Sequence, residues 1–374
     1  MSFCNYRQRL FKKMKNFGPF FLRVGSVLLI CLCFVVYLNW EMVPMKNTQV
    51  NFTAIRTDDY IQLVPKVNMS NSDVSMKITK TYNTQDGEYD LRIIVIVYNR
   101  AHSLMRLLKS LNEAEYGSDS VKLEVWIDRS QDQTLDTLTF QSASGFIFYH
   151  GQYSVIPHPR HVGLYGQWLT TWKPKINSSE IAVILEDDLT VSPHFYKYLK
   201  NVHRKYDGYP DVNGYALQGS SIKHSNKDNS RLQGPKDSLV YLYPVLGTWG
   251  FSPNRKNWMK FLDWFPVAHN DKNYQPYVPD NVVTDWYKAF QKEGKTQGMW
   301  SIWHIHYAWK NNEYTLYSNF EDHAGLTTNW QEDGLHYQNV KKVTNKLLTE
   351  WKPEYENLPD KLVHLDIAGK VISS

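Results

Sequence analysis

The amino-acid sequence predicts an α/β fold, in which a mixed and mostly parallel sheet is flanked by helices. Two continuous apolar runs, residues 93–97 and 182–185, are typical of strands that are buried on both faces. The first run is followed by an amphipathic helical pattern, and strands that alternate with helices form parallel sheets. Polar and acidic clusters follow these runs, where the strands of such sheets end and ligands bind.

The predicted elements follow one another after a polar segment. Residues 41–89 lack hydrophobic periodicity and predict a stem, whereas residues 90–340 predict one α/β domain. In that domain the strand of residues 93–97 leads into a helix whose apolar face holds Leu104, Leu107, Leu108 and Leu111. Further strands are predicted in the sequences VKLEVWIDRS, GFIFYHG and SSEIAVILEDD. Residues 341–374 predict a C-terminal extension with a basic helix start.

An uncharged apolar run near the N-terminus predicts a transmembrane helix, with the signal anchor at residues 23–40. Residues 1–22 are then a cytoplasmic tail, because basic residues before a span stay in the cytosol. The expected product is a single-pass type II membrane protein whose body lies in the lumen of the Golgi or ER. A cleaved signal peptide is the alternative, but no clear cleavage sequence follows the run. The basic residues at this end are Arg7, Arg9, Lys12, Lys13, Lys15 and Arg23.

Charge and cysteine content narrow the class of protein. The formal net charge is +5, and residues 1–23 hold six basic residues and no acid, so the remaining chain is close to neutral. No basic surface for nucleic acid is therefore predicted. All three cysteines precede residue 41, so the body has no disulfide of its own. Asn-x-Ser/Thr sequences compatible with a lumenal glycoprotein begin at Asn51, Asn68 and Asn177.

Three consecutive acids, Glu186, Asp187 and Asp188, end one predicted strand. Because side chains i and i+2 of a strand face the same way, Glu186 and Asp188 are predicted to point together into a cleft, with Asp187 turned away. Close carboxylates repel unless a cation lies between them. Oxygen ligands suit Mn²⁺ or Mg²⁺, which could bridge a diphosphate. The alternative is an acidic start to a helix capped by Ser192 with Pro193 in its first turn, which leaves the three acids unexplained.

Six segments occur in a fixed order: IIVIVYNRAHSLMRLLKSL, VWIDRSQD, ILEDDLTVSPHFYKYL, PVLGTWGFSPNRKNWMKF, VTDWYKAF and LYSNFEDHAGLTTNWQEDGLHY. Together they resemble the nucleotide-sugar glycosyltransferases of the GT-A (Rossmann-like) fold, family 2-like, with similarity to lumenal N-acetylglucosaminyltransferases. The resemblance covers about residues 90–340. It implies Mn²⁺- or Mg²⁺-dependent transfer of a hexosyl or N-acetylhexosaminyl group, with inversion, from a nucleotide-diphosphate sugar to a glycan or glycoprotein acceptor.

The resemblance assigns roles to single residues. Asp188 matches the direct metal ligand of the family, and Glu186 and Asp187 match acids that hold ribose, sugar or metal-bound water. Asp128 matches the acid near the base and ribose, and a turn-capping acid before Ser130 is the alternative. Three residues after the first strand match the wall of the nucleotide pocket: Tyr98, Asn99 and Arg100. For Arg100, the alternative is a solvated charge at the start of a helix.

Inversion requires a carboxylate that accepts the proton of the acceptor hydroxyl. Asp285 matches that general base, Asp280 is the second candidate, and the neighbouring Trp286 is predicted to stack on the acceptor sugar. The alternative for Asp285 is a cap for the helix WYKAFQKEG. Thr284 departs from the N-acetylglucosaminyltransferase pattern, in which paired acids occur at this place.

Histidines and glycines complete the predicted site. His336 matches a histidine of the related enzymes that approaches the metal or the diphosphate, and a hydrogen-bonded structural histidine is the alternative. His304 and His306 alternate in the sequence WSIWHIHYAW, which predicts a strand. Gly163 permits the donor to approach the backbone closely. Gly166 of the same loop would also permit close approach of the donor. Arg160 or His161 of this loop would bind a phosphate of the donor.

Two functions of other classes stay open. A metal-dependent hydrolase of nucleotide sugars or phosphoesters would use the same acids, but with more His and Asp ligands than this sequence offers. An inactive, lectin-like Golgi protein would keep the fold without turnover, and the intact sequence Glu186–Asp188 argues against it. Incubation with nucleotide sugars distinguishes the three, since only transfer needs an acceptor and the inactive protein shows no turnover.

Overall fold

The computed structural model describes residues 51–57, 60–66, 89–175, 177–222, 232–332 and 346–373. The predicted tail and signal anchor lie outside these residues, as does most of the predicted stem. No helix in the described part of the chain is long and apolar enough to cross a membrane. Within the predicted stem, two strands form a separate two-stranded sheet, β1 (Asn51–Thr57) and β2 (Tyr60–Lys66).

The body, residues 89–373, is built on a mixed sheet. The described residues of the body form the strands β3 (Leu91–Val97), β4 (Val121–Ile127), β5 (Gly151–Pro157), β6 (Ile181–Glu186), β7 (Leu189–Val191), β8 (Val212–Ala216), β9 (Val240–Tyr243), β10 (Phe251–Pro253), β11 (Tyr314–Ser318), β12 (Thr327–Asn329), β13 (Val363–Leu365) and β14 (Val371–Ser373). Ten of them form one sheet in the order β14-β13-β9-β11-β8-β10-β6-β3-β4-β5.

The sheet has a parallel half and a mixed half. Strands β5, β4, β3 and β6 run parallel to one another. Strand β10 then lies antiparallel between β6 and β8, and β9 is antiparallel to β11. The predicted class, a mixed sheet flanked by helices, is therefore confirmed at this level.

Apolar side chains cover both faces of the parallel half. Ile93 and Val95 of β3 belong to a core on one face, whereas Ile94 and Ile96 belong to a second core on the other face. All four side chains are almost fully buried. The run of residues 93–97 shows no alternation because neither face of its strand meets water.

The helices of the described residues are α1 (Ala101–Asn112), α2 (Thr137–Ser144), α3 (Gly163–Thr170), α4 (Phe195–Tyr206), α5 (Arg255–Asn270), α6 (Val282–Lys292) and α7 (Ser301–Lys310). The four leucines predicted on the apolar face of α1 are all buried. The helix predicted after the acids is α4, but His194 precedes its first residue, and Ser192 is not its cap. The Ser192 hydroxyl instead accepts a hydrogen bond from the His194 N–H at 3.1 Å.

Two predicted strands were wrong. The sequence GFIFYHG is mostly a loop, and the edge strand β5 begins at its last residue, Gly151. Ile147 and Tyr149 of that loop are largely exposed, so their apolar character does not mark burial in a strand. The sequence of His304 and His306 forms helix α7. All residues from 302 to 308 are buried, so the sequence carries no helical periodicity.

Two further features position the site and complete the sheet. Strands β7 and β12 form a small antiparallel pair just after the acids, with Asn329 opposite Leu189. Strand β13 is parallel to β9 and β14 is antiparallel to β13. The predicted extension at residues 341–374 therefore contributes strands β13 and β14 to the same sheet.

Candidate active site

The candidate site lies at the carboxyl edge of the parallel strands. In the sheet register, Val97 at the end of β3 is opposite Ile127 of β4, and Ile96 is opposite Glu186 of β6. The residues that follow these strands therefore emerge together. They include many of the predicted site residues: Tyr98, Asn99, Arg100, Asp128, Asp187 and Asp188.

The three acids do not alternate as the strand rule predicts. Strand β6 ends at Glu186, and Asp187 and Asp188 form a turn before β7. Asp187 and Asp188 both face Arg100, whereas Glu186 accepts a hydrogen bond from Nε1 of Trp168 at 3.0 Å. The expectation that Asp187 turns away from Asp188 was therefore wrong, because the turn ends the period-2 alternation.

Arg100 binds two of the acids at once. Its Nε donates to Oδ2 of Asp187 at 3.1 Å and its Nη2 donates to Oδ1 of the same carboxylate. Its Nη1 lies 3.4 Å from Oδ2 of Asp188. Tyr98 and Asn99, the other two residues of this predicted pocket wall, are exposed beside it.

Asp188 is also held from β12. Nδ2 of Asn329 donates to Oδ1 of Asp188 at 2.9 Å, and the N–H of Trp330 donates to the Asp188 carbonyl at 2.9 Å. The pairing of β7 with β12 brings these residues together across a wide sequence separation. Sequence reasoning missed Asn329, although the segment TTNWQED was part of the resemblance.

A second ion pair fixes the segment that follows β12. The Glu332 carboxylate accepts hydrogen bonds from Arg106 and Ser103 of α1. The guanidinium of Arg106 lies over the Trp330 ring, 4.4 Å from its centroid, and Nε1 of Trp330 donates to Thr190. These residues were not predicted from sequence, because no local pattern marks a contact between α1 and a segment more than two hundred residues later.

Burial of the three acidic side chains raises their pKa values. Burial and then the neighbouring Asp188 raise the pKa of Glu186, and the hydrogen bond from Trp168 opposes this shift. Burial also raises the pKa of Asp187 and of Asp188, and Arg100 opposes the shift in both cases. The ionised forms of these groups are therefore disfavoured unless further positive charge is supplied.

Asp128 lies between the end of β4 and the start of α3. Its carboxylate accepts hydrogen bonds from the N–H groups of Arg129, Val162 and Gly163 at 2.8 to 2.9 Å. Nδ1 of His161 lies 3.3 Å from the same carboxylate. Gly163 has a φ of +65°, which permits this close approach of backbone and carboxylate. Asp128 therefore anchors the predicted donor loop, and Gly166 lies within α3 while Arg160 is exposed on the loop.

The two candidate bases lie at the start of α6. Asn281 caps this helix, because its side chain accepts from the Val283 N–H, and Asp285 lies in the first turn. The alternative that Asp285 is the cap was therefore wrong. Asp285 is exposed, and Asp280 is exposed in the preceding turn with a φ of +53°.

The neighbours of the candidate bases differ in exposure. Trp286 is partly exposed, at 39%. Thr284 is buried, and its hydroxyl donates to the Val278 carbonyl at 2.8 Å and accepts from the Val278 N–H. Thr284 therefore holds the loop that leads into α6.

The histidines take structural positions where they are described. His304 is buried among Phe251, Trp258 and Phe261, and burial lowers its pKa to about 3. In His306, Nε2 lies 2.6 Å from the Tyr274 hydroxyl and Nδ1 lies 2.8 Å from the Tyr277 carbonyl. The predicted metal or diphosphate ligand, His336, lies outside the described residues.

The donor atoms suit a hard cation shared with a ligand. Among the described residues, no three His, Cys, Asp or Glu side chains converge on one point as a complete metal cage. Magnesium-like cations in phosphate-transfer sites use one or two carboxylates together with substrate phosphates and water. The buried carboxylates around Asp188 fit that mode of binding, since they carry oxygen ligands and an excess of negative charge.

Comparisons with known proteins give distant structural likeness. No protein-family model matches the chain, and no curated protein matches it in sequence. The chain is similar to the crystal structure of S. aureus TarS 1–349, with 12% identity and a TM-score of 0.34 over 61% of this chain and 60% of that chain. It is similar to the mannosyltransferase PcManGT from Pyrobaculum calidifontis in complex with GDP-Man and Mn²⁺, with 12% identity and a TM-score of 0.33.

These structural matches cover only part of each chain. The match to PcManGT covers 60% of this chain and 74% of that chain. A structure of TarS 1–349 in complex with UDP-GlcNAc matches with 15% identity and a TM-score of 0.26, over 40% of this chain and 38% of that chain. The chain thus spans about three fifths of the first of these structures. At these TM-scores the likeness carries no argument about activity, which rests on the geometry of the site itself.

Proposed function

We propose that this protein is a divalent-cation-dependent glycosyltransferase of the GT-A type. In this proposal it moves a hexosyl or N-acetylhexosaminyl group, with inversion, from a nucleotide-diphosphate sugar to a glycan or glycoprotein acceptor. The observation that carries the proposal is the group Glu186, Asp187 and Asp188 at the end of β6. Arg100 is the cation that pairs with this group among the described residues, so the site has an excess of buried negative charge.

The excess charge explains why a cation would bind here. When all three acids are ionised, one guanidinium leaves two negative charges without a partner in a buried environment. A divalent cation held by Asp188 and the donor diphosphate would supply charge stabilisation for the departing nucleoside diphosphate. Asn329 and Arg100 orient the Asp188 carboxylate, and Asp128 holds the loop that starts α3 beside the same sheet edge.

The transfer itself needs one further group from the chain. As the acceptor oxygen bonds to the anomeric carbon, the bond from that carbon to the diphosphate breaks and the hydroxyl proton passes to a carboxylate. Asp285 and Asp280 are the two candidates for that carboxylate, and both are exposed at the start of α6. A proton acceptor of this kind contributes about 10²–10⁴-fold to the rate.

A panel of nucleotide sugars tests the proposal. The full-length protein is incubated with UDP-, GDP- and CMP-sugars in Mn²⁺ or in EDTA, each with and without a mixture of glycan acceptors. We expect Mn²⁺-dependent release of nucleotide that requires an acceptor and transfers the sugar to it. Release without acceptor would indicate a hydrolase, and binding without turnover of any donor would indicate an inactive, lectin-like protein.

The variant Asp188→Asn tests the metal assignment. It removes one negative charge and preserves the size of the side chain, so the fold is expected to persist while Mn²⁺-dependent binding of UDP or GDP is lost. Calorimetric titration with Mn²⁺ and each nucleotide measures the effect. Asp263→Asn is the matched control, since Asp263 is largely exposed on α5 and faces Lys173. Equal metal-dependent binding by Asp188→Asn and the parent protein would contradict the assignment.

We also propose that the body is lumenal and anchored by the helix predicted at residues 23–40, in the Golgi or ER. The basic residues before that run support this orientation. Such a location would place the body among nucleotide sugars and glycoprotein acceptors.

A further inference from the structure

Arg100 is the part of the acid cluster that solvent reaches. Its side chain is 29% exposed, whereas the side chains of Asp187 and Asp188 are 3% and 6% exposed. Its guanidinium binds the Asp187 carboxylate through two nitrogens and extends a third toward Asp188. The guanidinium therefore covers the carboxylates that a cation from solvent would have to reach.

The contacts that hold Arg100 in this position are made with the acids. Arg100 is the residue before α1, and its side chain makes no capping hydrogen bond to that helix. The two residues before it, Tyr98 and Asn99, are exposed, so this turn is not packed into a core. The side-chain contacts given for Arg100 are therefore those with Asp187 and Asp188.

A divalent cation and the Arg100 guanidinium compete for Asp188, because two positive groups at one carboxylate repel each other. An arginine side chain does not lose its charge in proteins, so the nitrogen that gives up Asp188 favours another anion, while the other two nitrogens can stay on Asp187. A diphosphate offers the same bidentate geometry as a carboxylate and more negative charge. The donor that would bring such a group is the one in the proposed function.

We propose that Arg100 is a resident counter-ion of the acid cluster, which leaves Asp188 for a phosphate of the donor when a divalent cation binds. This inference rests on the proposed function and adds to it a dependence of cation binding on the donor. The cation binds weakly to the protein alone and tightly together with the nucleoside diphosphate. Arg100 thus weakens the binding of a metal ion to the cluster in the absence of donor.

Thermodynamic linkage makes the exchange measurable. If the diphosphate raises the affinity for Mn²⁺ by some factor, then Mn²⁺ raises the affinity for the diphosphate by the same factor. In the parent protein we expect that factor to be about 10 to 100, within the usual range of such couplings. In Arg100→Met, Mn²⁺ has no competitor at Asp188, so Mn²⁺ alone should bind about 10-fold more tightly, on the same scale of coupling, and nucleotide should strengthen it much less.

Titrations of the full-length protein test the exchange. Mn²⁺ binding is followed by electron paramagnetic resonance of the free ion, without nucleotide and at saturating UDP or GDP, with correction for the Mn²⁺–nucleotide complex in solution. The parent, Arg100→Met and Arg100→Gln are compared, and the second variant serves if the first does not fold. Arg255→Met is the matched control, because it removes an arginine of similar exposure, 25%, that pairs with Asp207 and not with the acid cluster.

The outcomes separate the exchange from the function on which it rests. Tighter binding of Mn²⁺ alone and weaker coupling in the Arg100 variants, with the coupling kept in Arg255→Met, supports the exchange. An unchanged affinity for Mn²⁺ alone in the Arg100 variants overturns it, whether or not nucleotide binds. Failure of the parent protein to bind either nucleotide overturns the proposed function and the exchange with it.

Discussion

Asp285 lies in the first turn of α6 without serving as its cap, and this position makes a substitution there informative. If Asp285 is the general base, its carboxylate accepts a proton only as the acceptor attacks. Asp285→Asn should then lower kcat by about 10²–10⁴ and leave donor affinity almost unchanged. Because Asn281 supplies the cap, loss of activity cannot be ascribed to loss of capping.

Steady-state kinetics and donor titration measure that effect, with Asp280→Asn as the matched variant one turn earlier. A large loss of kcat in Asp280→Asn alone would move the base to Asp280. Turnover close to that of the parent protein in both variants would remove both residues from the role.

A buried glutamate far from the acid cluster predicts a pH-dependent stability. Glu313, just after α7, is 7% exposed, and its Oε2 has no hydrogen-bond partner in the described structure. Burial raises its pKa from 4.5 to about 7, although Asn257 and Lys260 oppose the shift. The folded protein thus holds this proton more tightly than the unfolded chain, so ionisation opposes folding increasingly from pH 4.5 to pH 7 and fully above it.

Glu313→Gln should therefore raise the free energy of unfolding by about 1–3 kcal/mol at pH 8 and by little near pH 4.5. Denaturant unfolding at the two pH values measures the difference. Glu293→Gln, at a side chain 55% exposed, should show no such dependence. Equal effects of Glu313→Gln at both pH values would show that the glutamate is not ionised against a burial penalty.

Single residues show how far sequence reasoning reached into the site. The acids and Arg100 could be found from sequence, because they directly follow buried strands whose ends must meet at one edge. Asn329 and Glu332 could not, since their roles depend on the pairing of β12 with β7 and on contacts with α1. The turn at Asp187 and Asp188 was also not visible, because strand alternation gives no sign of where a strand ends.

At the scale of elements, the cap of α6 links stability to the candidate base. Asn281 is 1% exposed, and its side chain accepts from the Val283 N–H at 2.9 Å. Asn281→Ala should cost about 0.5–2 kcal/mol of unfolding free energy, whereas Asn281→Ser should keep most of the stability. Thermal or denaturant unfolding measures both. Equal stability of the Ala and Ser variants would mean that the cap contributes nothing.

Elements were predicted well where burial and periodicity agree and poorly where they do not. The helix α1 and the strands β3, β4 and β6 follow from apolar runs and helical spacing. The helix α7 was missed because it is buried on all sides, and alternating His304 and His306 imitate a strand. The edge strand β5 was predicted too early in the sequence, because its own residues are only half-buried. The loop before it holds large apolar side chains that are exposed.

At the scale of the whole molecule, the expected topology has a direct test. Asn177 is exposed, in the stretch between α3 and β6, at the opposite end of β6 from the acids. A lumenal body would permit a glycan there without covering the site. We expect protease added to intact microsomes to spare the body, and glycosidase to lower its mass through Asn51, Asn68 or Asn177.

Asn177→Gln separates the site on the body from the two sites before it. The glycosidase shift should become smaller in this variant if Asn177 carries a glycan. Digestion of the body by protease added outside the microsomes would reverse the orientation.

The pairing of β13 with β9 has a consequence for biogenesis. His364 pairs with Leu242, more than a hundred residues earlier in the chain, and Tyr206 of α4 donates a hydrogen bond to the Pro359 carbonyl. While the ribosome is still adding this late segment, β9 presents an uncovered edge to other nascent chains. Such distant pairings also form slowly. The mixed half of the sheet can therefore be completed only after synthesis has passed β13, and until then chaperones would have to shield that edge from aggregation.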